Sequence, residues 1–436
     1  MIETLIYVVV GAFALGFPLL YFLRDRKINS ESMATLQKAI ERGLDEPVSL
    51  HPKVDPDSCI GTGACVKACP EVKVIGLIDG KATLINPSRC IGHGLCAAAC
   101  PVNAIELVFG TERRGVDIPM IGGDFQSNVP GIYIAGELGG MGLIRNAVTQ
   151  GKQAVQNITK SLIGEKKSDG VYDVGIVGAG PAGIGAALQA KKEGLDFVLI
   201  DQEDLGGTIL SYPRRKLVMT QPMELPIHGT VSAKEISKEL LLELFIKVTG
   251  AIGIKVRDGE KVENIDRQND HFRIVTNKNE YKTRKAILAI GRRGSPRKLD
   301  VPGEKSSQVA YRLTDPEKFH NLKILVVGGG DSAVEAAVAL SEQKGNIVHI
   351  SYRRETFFRI KEANQTRIDA AILKGSVTTI FNSEVKAIEP EKVSIEQNGK
   401  KLDLPNDQIF VFAGGELPSD FLSRVGIEFT RKHGEK

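Results

Sequence analysis

Cysteine is missing from most of this chain. Of its 436 residues six are cysteine, and all six lie between Cys59 and Cys100. The bridges of a secreted disulfide scaffold would be spread along the whole chain, so that class is excluded. Tryptophan is absent, and aromatic residues make up only 6%. Charge of one sign is lacking too. The 57 Lys+Arg against 53 Asp+Glu leave a net +4, too little for a nucleic-acid-binding surface. Long hydrophobic runs are confined to the N-terminus, which excludes a polytopic transporter. What is present is globular: 42% hydrophobic and 25% charged residues, in a length that suits roughly three domains.

Residues 4–23, TLIYVVVGAFALGFPLLYFL, are uncharged and mostly apolar. As a helix they would be ~30 Å long, the thickness of a bilayer's hydrocarbon core, so one N-terminal transmembrane helix is expected. Gly11, Gly16 and Pro18 are tolerable there. The rival is a cleaved signal peptide, but Glu3 and no basic residue stands at the start. Arg24, Arg26 and Lys27 follow at once. By the positive-inside rule the bulk of the chain then lies in the cytoplasm, anchored at the cytoplasmic membrane. Residues 24–50 read as a tether, with Met33, Leu36 and Ile40 on one face of a short helix before Pro47, Pro52 and Pro56.

Within residues 51–110 two segments repeat each other, CIGTGACVKACP at 59–70 and CIGHGLCAAACP at 90–101. Iron–sulfur clusters need several thiolates on a compact core, and glycines let a loop wrap it closely. The pattern resembles the bacterial two-cluster ferredoxin, C-x2-C-x2-C-x3-C-P, whose fourth cysteine serves the other cluster. That resemblance implies Cys59, Cys65 and Cys100 at one cluster, and Cys90, Cys96 and Cys69 at the other. The second cysteine of each motif is replaced, by Thr62 and His93. Three thiolates suit a 3Fe–4S cluster, or a 4Fe–4S cluster with a non-cysteine ligand. His93 is a candidate for that ligand, whereas Thr62 is a poor one. A Cys/His zinc site and an empty, decayed module are the alternatives.

Two strand–glycine–helix patterns follow. In YDVGIVGAGPAGIGAALQA an apolar strand runs into Gly178, Gly180 and Gly183, then an Ala-rich helix. Those glycines allow a tight turn, approach of a pyrophosphate to the helix N-terminus, and close helix–strand packing. The next strand ends at Asp201, placed to accept ribose hydroxyls. In LKILVVGGGDSAVEAAVAL the same roles fall to Gly328, Gly330 and Ala333. Here Ser351 stands at the end of the second strand, and Arg353 and Arg354 follow, with Arg359 nearby. Guanidinium groups in place of a carboxylate suit a 2′-phosphate, so the first site reads as FAD and the second as NADPH.

Tandem dinucleotide folds of this kind resemble the low-molecular-weight thioredoxin reductases among FAD/NAD(P)H oxidoreductases. GGTI at Gly206, Gly207 and onward, and AILAIGRRGSPRKLDVPGE at 286–304, match that family as well. The fold implied is α/β: two Rossmann-like three-layer domains joined to a small α+β ferredoxin-like module. Residues 111–300 and 417–436 form the FAD domain and 301–416 the NADPH domain. The family's closing segment, which meets the flavin, has its match at 128–158, before the first glycine motif. The chain therefore resembles a circular permutant in which 111–165 completes the FAD domain from the N-terminal side. Gly136, Glu137, Arg145 and Asn146 are the cofactor-facing positions it implies, with Glu137 in the usual Asp position.

Thioredoxin reductases carry a C-x-x-C before the second glycine motif; the matching stretch here, YRLTDPEKF at 311–319, has no sulfur. Relatives that reduce small disulfides place a cysteine beside the FAD glycines, where this chain has Ala182. Ferredoxin–NADP reductases of the same type also lack the dithiol. The reading is a membrane-anchored oxidoreductase passing electrons between NADPH, FAD and iron–sulfur clusters, and to or from a redox protein or a membrane carrier. No side-chain acid or base is required, so no catalytic residue is assigned. A disulfide or quinone reductase and an iron–sulfur redox sensor are the alternatives. The resemblance also implies a homodimer.

Overall fold

The computed structural model describes residues 2–434 apart from 48–49, 114, 141, 213, 215, 220, 233–234, 293–295, 358–359, 361 and 416–417. It divides into two compact units, Met1–Val116 with Lys432–Lys436, and Asp117–Arg431.

The first unit begins with one helix, Ile2–Glu41. The expected helix over 4–23 and separate tether are corrected here. The helix runs on without a break through the charged residues Arg24, Asp25, Arg26 and Lys27. Among the described residues no helix is long and apolar enough to cross a membrane. The transmembrane helix, the bilayer contact and the location at the cytoplasmic membrane are therefore withdrawn. The far end of the helix packs instead of tethering. Ser32 and Ala39 are buried, while Met33 and Ile40 are about half exposed, so the buried face is rotated by one residue from the one expected. Gly76 lies against it, close enough that a Cβ there would sit 2.6 Å from Ser32 Oγ.

The rest of this unit is two antiparallel ribbons and two short helices. Strand His51–Val54 pairs with Ile105–Val108, and Ile75–Ile78 with Lys81–Leu84. Helices Ala64–Ala68 and Leu95–Ala98 each start at a left-handed glycine, Gly63 and Gly94. The two halves of the sequence repeat thus take the same shape.

The second unit holds two mainly parallel sheets. In the first, Val256–Arg257, Phe197–Ile200, Tyr172–Val177 and the end of Glu280–Leu288 are neighbours in that order, all parallel. The start of Glu280–Leu288 turns to an antiparallel hairpin, Phe272–Thr276 with Val262–Arg267. Strand Ile132–Ile134 lies parallel to Ala286, Ile287 and Leu288. Five of the six residues of Tyr172–Val177 are buried, the unalternating pattern of a strand covered on both faces. Helix Pro181–Lys192 carries Pro at its first position, where no backbone N–H is needed. It crosses helix Ile144–Ser161 at small residues. A Cβ at Gly151 would fall 2.0 Å from Ala182 O, and one at Gly185 2.5 Å from Val148 O. Leu422, Val425 and Ile427 from the C-terminal stretch share a core with Ile132, Ile134, Val177 and Leu288.

The second sheet has the order Val309–Ala310, Gln408–Val411, Lys323–Val327, Ile347–Tyr352, Val377–Phe381, parallel throughout. Helices Asp331–Ser341 and Glu362–Leu373 cover it through Val334, Ala337, Ile368 and Ala371. A three-stranded antiparallel sheet, Ser383–Ile388, Lys392–Gln397 and Lys400–Pro405, completes this part.

Candidate cofactor sites

One cavity of about 1110 Å³ in the second unit is lined by both glycine turns. In the first, Gly178 has φ 106°, and a Cβ on it would lie 2.4 Å from Ala289 O. A Cβ on Gly183 would lie 1.7 Å from Gly178 O, so the helix can approach the strand only with glycine there. Gly180 is different: a Cβ on it would meet nothing nearer than 4.0 Å, and the residue lines the cavity with Pro181 and Ala182. A helix N-terminus opening into space is a phosphate-binding arrangement.

Asp201 ends the neighbouring strand and also lines the cavity. It is 9% exposed, and its carboxylate accepts the Ala179 N–H at 2.5 Å and the Glu203 N–H at 2.8 Å. Burial raises its pKa above the ordinary carboxylate value despite those two bonds. Gly207 packs on the turn, where a Cβ would be 3.0 Å from Gly180 Cα, while the Gly206 N–H donates to Ala179 O at 2.9 Å. Gly207 lines the cavity and Gly206 stands behind it.

Gly136 and Glu137 line the same cavity with Leu143, Ile144 and Ala147. Gly136 has φ 85°, and its N–H donates to Gln150 Oε1 at 2.8 Å. Arg145 and Asn146 are not among the lining residues. The Arg145 guanidinium instead donates to Gln221 Oε1 at 2.6 Å. Both stand on helix Ile144–Ser161, whose Ile144 and Ala147 are the residues turned to the cavity.

The second turn follows the first with two changes. A Cβ on Gly328 would sit 2.5 Å from Phe412 O, and Gly330 is open and lines the cavity with Asp331, Ser332 and Ala333. Ala333 is fully buried, so a methyl fits where Gly183 has no room. Gly329, which the motif reading passed over, is required because a Cβ would strike the Tyr352 ring at 2.3 Å. At the end of strand Ile347–Tyr352, Ser351 is buried and shares a 2.8 Å hydrogen bond with Ser383. Arg353 and Arg354 are exposed just beyond; Arg359 lies outside the described residues.

Sequence reasoning missed the polar contacts between segments. Arg312 donates to both carboxylate oxygens of Glu203, one at 2.9 Å, and both residues line the cavity. Asn364, itself buried, donates to Asp331 Oδ1 at 2.6 Å and fixes the start of the second helix. Their partners lie many residues apart, so no local pattern signals them.

In the first unit Cys59, Cys65 and Cys100 line one small cavity together with Thr62. Burial raises the Cys65 thiol above its ordinary value, with Cys59 and Cys100 as the acidic neighbours that add to it. Burial likewise pushes Cys96 up to about 11, and its acidic neighbours are Cys90 and Cys69. Cys59, Cys65 and Cys100 thus share one cavity, and Cys69, Cys90 and Cys96 act on one another's charge. The Ala82 N–H points at Cys59 Sγ (3.4 Å) and the Ala104 N–H at Cys100 Sγ (3.2 Å), donors suited to thiolates. Left-handed glycines at 61, 63, 92 and 94 wrap both loops. Among the described residues no three of His, Cys, Asp or Glu converge on a point where one metal ion could bind. Cluster thiolates bind different irons and need not converge in that way.

Residues 175–435 match the family model described as pyridine nucleotide-disulphide oxidoreductase. The chain belongs to this family. Residues 51–101 match a 4Fe–4S dicluster domain. A ferredoxin–NADP reductase of Ignicoccus hospitalis is 31% identical over 60% of this chain and 83% of its own length. The bacilliredoxin reductase Bdr of Bacillus subtilis is 26% identical over 59% of this chain and 82% of its own. Among solved structures, the bacillithiol disulfide reductase Bdr (YpdA) of Staphylococcus aureus shares 25% identity at a TM-score of 0.53. It covers 59% of this chain and 80% of that one. This pyridine nucleotide-disulphide oxidoreductase is thus an NAD(P)H-dependent flavoenzyme with FAD, NADPH and an iron–sulfur domain. The open turns at Gly180 and Gly330 and the grouped thiols fit those groups.

Proposed function

We propose that the protein passes electrons between NADPH and its iron–sulfur clusters by way of FAD, and exchanges them with a ferredoxin-type partner. One observation carries this reading: every thiol of the chain lies in the first unit, and the nucleotide cavity is lined by none. When bound, FAD converts the two-electron chemistry of NADPH into the one-electron chemistry of clusters. The chain's own residues hold and orient these groups. Gly178 and Gly183 close the first turn, Gly180 presents the helix N-terminus, and Asp201 offers a carboxylate to the ribose. Gly328 and Gly330 repeat the arrangement for NADPH, with Arg353 and Arg354 at the 2′-phosphate. Anaerobic NADPH oxidation with viologen or ferredoxin as acceptor tests the reading. Activity that is lost in Cys59→Ala and Cys90→Ala supports it.

A disulfide reductase is the second reading, supported by the likeness to the Bdr proteins. Against it, Ala182 beside the first turn is buried and carries no sulfur. Disulfide turnover that survives both cysteine substitutions would favour it.

Residues 111–165 are proposed to be the family's closing segment, moved to the front of the FAD domain. The pairing of Ile132–Ile134 with the first sheet and the helix crossing at Gly151 and Gly185 support this. A chain re-permuted to carry that segment after residue 431 should still bind FAD. Loss of FAD from a folded re-permuted chain would contradict the proposal. The family's homodimer is part of the same reading.

A further inference from the structure

The two cysteine loops are alike in backbone and unlike at one position. Gly61 and Gly92 have φ 70° and 75°, and Gly63 and Gly94 have φ 68° and 74°. Both loops are pinned: a Cβ on Gly61 would be 2.1 Å from Gly80 O, and one on Gly92 2.6 Å from Leu50 O. The residue between each pair of glycines is therefore presented in the same way. In the first loop it is Thr62, which lines the cavity of Cys59, Cys65 and Cys100, is exposed, and accepts the Ala64 N–H at 3.4 Å. In the second it is His93, half-buried, with its Nε2 atom shielded from solvent.

A neutral alcohol is a weak iron ligand, and Thr62 directs its oxygen to the backbone of its own loop. An imidazole is a good ligand. We infer that the two clusters are unequal: the one on Cys59, Cys65 and Cys100 has three thiolates and a fourth corner open to solvent at Thr62, and the one on Cys69, Cys90 and Cys96 is closed by His93. The open site rests as a three-iron cluster and takes up a ferrous ion from solution, with a small external ligand such as water or a thiol on the added iron. The oxidised three-iron core first gains one electron, which NADPH supplies through the flavin. The reduced core and one ferrous ion then give the four-iron core, with no other atom gained or lost. This rests on the iron–sulfur reading of the module.

The test is iron content and low-temperature EPR of the full-length protein purified without oxygen. Wild type should hold ~7 iron per chain, one three-iron and one four-iron cluster, and show the near-isotropic signal of an oxidised three-iron cluster. Thr62→Cys should remove that signal and bring the count to ~8. His93→Ala should roughly double the three-iron signal of the wild type. In unmodified protein, reduction with ferrous ion and a small thiol should raise bound iron to ~8 per chain, whereas reduction without added iron should silence the signal and leave ~7; this readout needs no variant to fold. Wild type with ~8 iron and no three-iron signal would overturn the inference, as would a signal removed by His93→Cys and untouched by Thr62→Cys. These readouts involve no turnover, so failure of the electron-transfer function is seen separately, as clusters of the stated types that NADPH does not reduce.

Discussion

The chain builds a strand–glycine–helix turn twice in the second unit, and the copies are not equivalent. At the third position the first copy has Gly183, where a Cβ would collide with Gly178 O at 1.7 Å, and the second accepts a buried Ala333. At the end of the second strand the first copy has a buried Asp201 and the second a buried Ser351 followed by exposed arginines. In the proposed reading one backbone plan serves two nucleotides. The copies differ in how closely helix meets strand, and in the sign of charge at the end of the second strand.

The sharpest way to break this comparison is Gly183→Ala. The added methyl has only backbone to displace, at a cost of about 3 kcal/mol or more. The protein should be isolated without FAD or fail to fold, as absorbance and thermal melting would show; bound flavin at wild-type stability would sink the argument. Next in size is the double substitution Arg353→Ala with Arg354→Ala. Contacts from charged donors are worth ~1.5–3 kcal/mol, so KM for NADPH should rise about 10- to 100-fold while KM for NADH barely moves. An equal rise for both would show that the pair does not read the 2′-phosphate.

Asp201→Asn sharpens the other half. It should weaken FAD about tenfold by the loss of a charged acceptor. It also has a pH signature in the apoprotein. Burial raises the folded-state pKa of Asp201, so stability is fullest below the ordinary carboxylate value and falls as pH rises through the raised one. In denaturant titrations from pH 4 upward the variant should lose that decline; an unchanged slope would contradict it. The smallest effect belongs to Ala333→Gly, about 1 kcal/mol of stability from helix propensity, with NADPH still bound.

Local pattern is what the sequence exposes. Glycines 178, 180, 183, 328 and 330 are readable because a tight turn leaves little choice of residue, and the structure gives each a definite neighbour or opening. The cysteine groups are readable because six thiols repeat at fixed spacing. Arg145 and Asn146 are harder: adjacent helix positions point about 100° apart, so placing a helix does not say which residues face the cavity. The helix Ile2–Glu41 shows the same limit. Its charged half has no break in propensity, and only packing at Ser32 and Ala39 decides the buried face. Contacts such as Glu203 with Arg312 and Asp331 with Asn364 follow from topology alone.

The central claim is that the clusters are the route by which electrons enter or leave. An anaerobic titration with NADPH, followed by visible absorbance and low-temperature EPR in one sample, tests it most directly. The flavin should bleach and reduced-cluster signals should grow with it, and in Cys59→Ala with Cys90→Ala the flavin should bleach alone. A fully bleached flavin beside clusters that stay oxidised in the wild-type protein, with turnover of an added disulfide, would contradict the claim.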